Sequence, residues 1–290
     1  MSPAARLRAL LAEPRCHAVP CCFDGLSARL LAEAGHRLSF MSGFAVSATR
    51  LGQPDTGLIS MAEMADSVRN ICAAAPSLAL IADGDTGFGN AVNAQRAVAT
   101  YARAGAAAIM IEDQVSPKKC GHTRGKAVIA RDEAVARVRA AVEAAASHDI
   151  LVMARTDARG THGMDEALAR MDAFAAAGAD ILFLEAPRDA AEMRRFVESA
   201  GGRPCMANLV HGGLTPVLPH AELERIGFRL AIYPLALLSA AVSAMRQAIA
   251  ALAPGATTPL PATPSFPELQ SIVGFPDYWA TEERFKSTTP

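Results

Sequence analysis

Residues 164–186 read Met-Asp-Glu-Ala-Leu-Ala-Arg-Met-Asp-Ala-Phe-Ala-Ala-Ala-Gly-Ala-Asp-Ile-Leu-Phe-Leu-Glu-Ala, and this stretch contains one whole repeat of the fold. Its first part, 164–176, carries apolar residues at helical spacing. Ala177-Gly178 then stops the helix, because glycine adopts the left-handed conformation at a helix end without steric penalty. A short apolar run over 180–186 follows and closes on a carboxylate, Glu185. The same order recurs in both directions. Ala34-Gly35, Ala104-Gly105 and Ile226-Gly227 precede the apolar runs 37–42, 107–113 and 228–235. Further runs occupy 17–24, 78–85, 150–157 and 204–210, with helical spacing between runs, as over 93–104. Strand, helix, glycine, strand is the pattern of parallel βα units, and eight units predict closure into an α/β fold of the (β/α)8 TIM-barrel type.

The barrel is expected over residues 1–252, including an N-terminal helix. The remainder, 253–290, begins Pro-rich (Pro254, Pro259, Pro261, Pro264, Pro267) and reads as a stiff linker. It leads into a tail bearing Phe266, Leu269, Ile272, Phe275, Tyr278, Trp279 and Phe285. A tail so rich in large apolar groups must dock on something, the same barrel or another subunit. Hydrophobic residues make up 51% of the 290, enough for one large core. Net charge is −1 with no basic stripe, which argues against a nucleic-acid partner. No apolar run reaches the roughly eighteen residues of a membrane span. The six cysteines lack C-x-x-C spacing and read as reduced thiols of a cytoplasmic protein.

Polar residues fall where the runs end: Asp24, Ser42, Asp83 with Asp85, Glu112, Arg155, Glu185 and Asn208. In such a barrel the C-terminal strand ends converge on one mouth, so these groups are expected to share a cavity. Helix capping is the competing reading for any one of them, Asp24 above all. The sharpest local signal is Asp83-Gly-Asp85-Thr-Gly-Phe-Gly-Asn90. Alternation along a strand would turn Asp83 and Asp85 the same way. Two facing carboxylates repel unless one is protonated or a cation lies between them. With Glu112 and Asp55 the set offers only oxygen ligands, which favours Mg²⁺ or Mn²⁺ over Zn²⁺, with Asp85 the expected direct ligand.

Taken together, Phe40-Met-Ser-Gly43, Asp83–Asn90, Glu112-Asp-Gln114, Lys118-Lys-Cys-Gly-His122, Ala154-Arg-Thr-Asp157, Phe183-Leu-Glu-Ala186 and Ala207-Asn208 resemble the isocitrate lyase/phosphoenolpyruvate mutase superfamily. The resemblance runs in order from about residue 15 to about 252. It implies that Ser42, Gly43 and Phe44 bind the carboxylate of a 2-oxo acid. It implies that Asp85 ligates Mg²⁺ while Asp55, Asp83 and Glu112 hold its waters. Arg155 would stabilise the oxygen on C2, and Asn208 and Glu185 would line the pocket. Residues 118–129 resemble a gating loop whose Cys120 is reactive in the carbon–carbon lyases, with Lys118 and His122 beside it. C-terminal helices exchanged between subunits, in dimers that pair into tetramers, are also implied.

These roles suit cleavage of a malate-like 2-hydroxy acid to a 2-oxo acid and a carboxylate. Cations beside Cys120 (Lys118, Lys119, His122) would ease transfer of its thiol proton to C3. The substrate is narrowed by a departure. Family members that cleave methylisocitrate carry an Arg soon after the Tyr-Pro-Leu of strand eight, whereas Tyr233-Pro234-Leu235 precedes Ala236, Leu237 and Leu238. A third carboxylate would be left unpaired there, which favours a 2,3-dialkylmalate. Oxaloacetate hydrolases of the family tend to have Ser at the place of Pro234. The stretches 207–216 and 231–235 are also similar to carboxyphosphonoenolpyruvate phosphonomutases, so a C–P bond-forming isomerase remains an alternative, as does an oxaloacetate hydrolase. A barrel serving only as an interaction scaffold would be expected to lose a metal carboxylate or Cys120; neither is lost.

Overall fold

The computed structural model of the chain describes residues 1–121 and 125–286. Eight parallel strands close in sequence order into one barrel: β1 (His17–Cys22), β2 (Leu38–Met41), β3 (Ala79–Asp83), β4 (Ala108–Glu112), β5 (Leu151–Thr156), β6 (Ile181–Leu184), β7 (Cys205–Asn208) and β8 (Leu230–Tyr233). β1 and β8 complete the closure, with His17 opposite Leu230 and Pro20 opposite Tyr233. Each expected run contains one strand. The helix Met164–Ala176 has the bounds read from spacing, and Ala91–Ala104 begins two residues before its expected start because Asn90 caps it. Gly105 and Gly227 end their helices at φ of 101° and 110°, the conformation their positions required.

One alternation organises the interior. Val19, Cys21, Leu38, Phe40, Ala79, Ile81, Ala108, Met110, Leu151, Met153, Ile181, Phe183, Met206, Leu230 and Ile232 form a single buried cluster, and on each strand they lie two residues apart. Period two sends these side chains to the barrel axis. Met41 and Cys22, one residue out of phase, pack instead between strands and helices. Met41 is therefore not barrel filling, as Met153 is. The helix Pro3–Ala12 closes the N-terminal end by adding Ala4, Leu7, Leu10 and Leu11 to the axial cluster.

Two departures concern the strand ends. β3 stops at Asp83, and Asp85 lies beyond it in the left-handed region at φ 48°. The expected strand-like alternation of Asp83 and Asp85 is therefore replaced by a turn. Asp24 is a helix cap: its carboxylate accepts from the Ser27 amide at 2.7 Å, in a reciprocal capping box. After β8 comes the helix Ala236–Ala251, in which no residue is buried. The tail helices Phe266–Val273 and Phe275–Phe285 are likewise without a buried residue, and Arg29 reaches the Ile272 carbonyl at 3.4 Å.

Because Leu7 is fully buried against the axial cluster, Leu7→Ala leaves a cavity at the barrel floor. We expect it to lower unfolding free energy by about 2–5 kcal/mol in urea titrations. A change under about 0.5 kcal/mol, the range of surface substitutions, would mean that the N-terminal helix does not close the barrel.

Candidate active site

The alternation that fills the barrel continues one step past its apolar layers. The next inward positions after Phe40, Ile81, Met110, Met153, Phe183, Met206 and Ile232 are Ser42, Asp83, Glu112, Arg155, Glu185, Asn208 and Pro234. All seven line one cavity of about 240 Å³ at the C-terminal mouth, together with Phe44, Asp55, Lys118 and Cys120. The strands thus place most of the expected groups by geometry alone, and loops add the rest. Gly43 does not line the cavity; Asp85 is buried just behind its wall, and His122 lies outside the described residues. His211 is exposed and also outside the lining.

Arg155 is the hub of the floor. It lies 5.0 Å from the Phe183 ring centroid, which gives the guanidinium an aromatic bed. Its Nε is 3.2 Å from Glu112 Oε2 and donates to Asp157 Oδ2 at 2.8 Å, while Nη2 lies 3.1 Å from Glu185 Oε2. Burial opposes its charge, but Asp157, Glu112 and Glu185 outweigh that and raise its pKa well above normal. Asn208 donates to Glu185 Oε2 at 3.2 Å, and the Glu185 Oε1 accepts the Ala186 amide at 2.9 Å. Asp157 is pulled down to about 2: burial raises it, and Arg155 and Lys126 overcome that. Asp157 lies two residues beyond Arg155 and could have been found from that same-face spacing.

The carboxylates form a second centre. Asp83 accepts the amides of Gly43 at 3.2 Å and Asp85 at 3.0 Å, so two elements converge on it. A Cβ on Gly43 would come within 2.5 Å of Asp83 Oδ2, which explains glycine there. Ser42 Oγ accepts the Ala45 amide at 3.3 Å as a helix cap while lining the cavity. Lys118 Nζ lies 2.6 Å from Asp55 Oδ1 and 2.8 Å from Asp85 Oδ1. Burial disfavours its charge, but Asp85, Asp83, Asp55 and Glu112 raise its pKa well above normal. Lys119 Nζ donates to the Gly125 carbonyl at 2.8 Å. Of the two ammonium groups expected beside Cys120, Lys118 thus has buried carboxylates as partners and Lys119 a loop carbonyl.

Burial pushes Asp85 up to about 6, despite the offset from Lys118, and it also raises Asp55 and Glu112. Among the described residues, Asp55 Oδ1, Asp85 Oδ1 and Glu112 Oε1 are buried and find no hydrogen-bond partner; the lysine touches the first two at ion-pair distance but not in hydrogen-bond alignment.

The family described as phosphoenolpyruvate phosphomutase matches residues 7–253. A 2,3-dimethylmalate lyase of Eubacterium barkeri is 45% identical over 245 residues, covering 84% of each chain. A chloroplastic carboxyvinyl-carboxyphosphonate phosphorylmutase of Arabidopsis thaliana is 39% identical over 297 residues, covering 99% of this chain and 87% of its own. The crystal structure of 2,3-dimethylmalate lyase, a PEP mutase/isocitrate lyase superfamily member, superposes with a TM-score of 0.93 at 36% identity, over 100% of this chain and 97% of that one. The chain belongs to the PEP mutase/isocitrate lyase superfamily. A phosphonopyruvate hydrolase in complex with oxalate and Mg²⁺ superposes with a TM-score of 0.86 at 32% identity, over 98% of this chain and 99% of that one.

Superfamily membership raises the question of whether these residues suit a divalent ion. The donors are all hard oxygens, three of them buried without a hydrogen bond, and a lysine ammonium already lies among them. These features fit Mg²⁺. Among the described residues, no three His, Cys, Asp or Glu side chains form a direct ligand cage. The fit is therefore to an ion that keeps much of its water, with few direct carboxylates.

A carboxyl raised in the folded state binds its proton more tightly there than in the unfolded chain. The stability contributed by the raised Asp85 is present below its ordinary 3.8 and is lost as pH rises through about 6. A divalent ion held by Asp85 would replace that proton and reverse the loss. Excess Mg²⁺ should raise the melting temperature by about 5 °C at pH 7.5 and by much less at pH 5. Equal shifts at both pH values, or none at 7.5, would refute an ion at Asp85.

Proposed function

We propose that the chain is a Mg²⁺-dependent lyase that cleaves a 2,3-dialkylmalate into a short 2-oxo acid, such as pyruvate, and a carboxylate. The observation that carries this reading is the polarity of the cavity. Arg155, Lys118 and the carboxylates contribute charged lining, while Phe44, Val210, Pro234 and Leu235 contribute apolar lining. A substrate with two carboxylates and alkyl substituents matches such a lining. A tricarboxylate would leave charge against carbon, at a cost of several kcal/mol. The identity to 2,3-dimethylmalate lyase supports the same choice.

The residues divide the work. Asp85 would hold the ion directly, with Asp55, Asp83 and Glu112 on its waters, and the ion would supply positive charge to the oxo-acid oxygens. Arg155, fixed by Glu112, Asp157 and Glu185, presents an oriented cation to the oxygen on C2. When a base at the mouth takes the C2 hydroxyl proton, the O–H pair forms the C2 carbonyl, the C2–C3 bond breaks, and its pair passes to C3 and onto the adjacent carboxylate. Cys120, on the loop lining the cavity, returns a proton to C3. Burial keeps water from competing for that carbanion. Ser42 and Phe44 border the site near Asp83, where the substrate carboxylate would lie.

Purified protein, Mg²⁺ and 2,3-dimethylmalate coupled to lactate dehydrogenase should consume NADH, and EDTA should stop it. Cys120→Ser should lower kcat by roughly a hundred- to ten-thousand-fold, since it removes the proton donor. NADH left untouched by every 2,3-substituted malate, with turnover of a phosphonate seen by ³¹P NMR, would replace the lyase by the mutase reading.

The unburied faces of Ala236–Ala251 and the two tail helices support a homo-oligomer in which these helices pack on a neighbouring subunit, in dimers that pair as tetramers. Phe266, Tyr278 and Trp279 are 72%, 61% and 48% exposed in the single chain. Light scattering at micromolar concentration should give a mass near four times 30.3 kDa; a monomer would refute this assembly.

A further inference from the structure

Lys126 has no part in the chemistry above, yet its side chain is only 6% exposed. It stands near the far end of the loop that carries Cys120, and among the described residues its Nζ makes two contacts. One is to Asp157 Oδ1 at 2.7 Å, the carboxylate that also binds Arg155. The other is to the carbonyl of Gly121, the residue that follows Cys120, at 2.5 Å. Gly121 itself lies so close to the floor that a Cβ there would be 2.3 Å from Glu185 Oε2 and 2.4 Å from Arg155 Nη2. The described residues around this point form no helix or strand. At the loop base, the Gln114 side chain binds the Lys119 amide and carbonyl at 3.0 and 2.9 Å. The stretch of loop bearing Cys120 is thus fixed from one side by Gln114 and from the other by Lys126.

We propose that Lys126 is a positioning residue that ties the Gly121 carbonyl, one residue beyond Cys120, to Asp157, and so couples the position of the loop thiol to the guanidinium of Arg155. This assignment rests on the lyase reading for its catalytic consequence, though its structural content can be tested alone. Without the ammonium, the Gly121 carbonyl and Asp157 Oδ1 lose a shared donor buried away from water. Cys120, already partly exposed, is then held less firmly and becomes more accessible.

The test uses iodoacetamide on the full-length protein, with alkylation followed at Cys120 and at the partly exposed Cys72 by peptide mass spectrometry. Lys126→Met should raise the Cys120 rate about tenfold, the effect of one lost charge-assisted hydrogen bond, while Cys72 keeps its rate. Lys126→Arg, which retains a cation and its donors, should restore slow alkylation. If Lys126→Met does not fold by circular dichroism, Lys126→Gln replaces it with the same expectation. An unchanged Cys120 rate in a folded, charge-free variant overturns the proposal, and so does an equal rise at Cys72. The readout needs no turnover, so absence of lyase activity in the unmodified protein would refute the function while leaving this test intact. If the lyase reading holds, Lys126→Met should also lower kcat by about tenfold while KM stays within about twofold, as expected for a misplaced proton donor.

Discussion

Buried negative charge at the barrel mouth is the constraint on which the rest of the structure depends. Among the described residues, six buried carboxylates (Asp55, Asp83, Asp85, Glu112, Asp157 and Glu185) face three cations with buried side chains at the mouth, Lys118, Lys126 and Arg155. Charges taken out of water must be compensated, or they take up protons or counter-ions. Each cation accordingly touches at least two acceptors, and Asp85 is pushed towards the protonated form. A divalent ion at Asp85 would answer the same deficit and share with Lys118 the counter-charge to Asp55 and Asp85.

The barrel makes this accumulation affordable by placing it at the edge of a rigid apolar column. Parallel strands in fixed register send every second side chain inward, so a polar layer can sit on apolar ones without a break in packing. The layer is also anchored from outside. Asp113 accepts from Thr156 Oγ1 at 2.6 Å and from the Asp157 amide at 2.9 Å, and its other contact is Arg170 at 3.0 Å. Arg137 donates to the Glu112 carbonyl at 3.0 Å. These contacts hold the ends of β4 and β5, and hence Glu112 and Arg155, while the loops supply Asp55, Lys118 and Cys120.

The parts of the site carried by strands were legible in the sequence because their rule is local. A run of apolar residues ending in a polar one places Asp83, Glu112, Arg155 and Asn208 at the mouth once eight runs are counted. Asp85 was assigned to the right cluster by the wrong geometry: the run does not reveal where pairing stops, and the backbone turns left-handed there. Asp24 followed the same end-of-run pattern but was captured by the nearest amide, that of Ser27. Contacts across loops were illegible. Lys118 reaching Asp55 and Asp85, Gly43 giving its amide to Asp83, and Gly121 lying against Glu185 all depend on how distant segments fold over one another. The glycines at 43 and 121 do carry a signal, but only the structure says what approaches them.

A crystal structure of the protein grown with Mg²⁺ and oxalate is the most direct measurement. It should show an ion about 2.0–2.1 Å from a carboxylate oxygen of Asp85, with waters leading to Asp55, Asp83 and Glu112 and oxalate facing Arg155. An ion bound elsewhere, or Lys118 still paired with Asp85 and no ion between the carboxylates at saturating Mg²⁺, would contradict a mouth organised around a hard divalent cation.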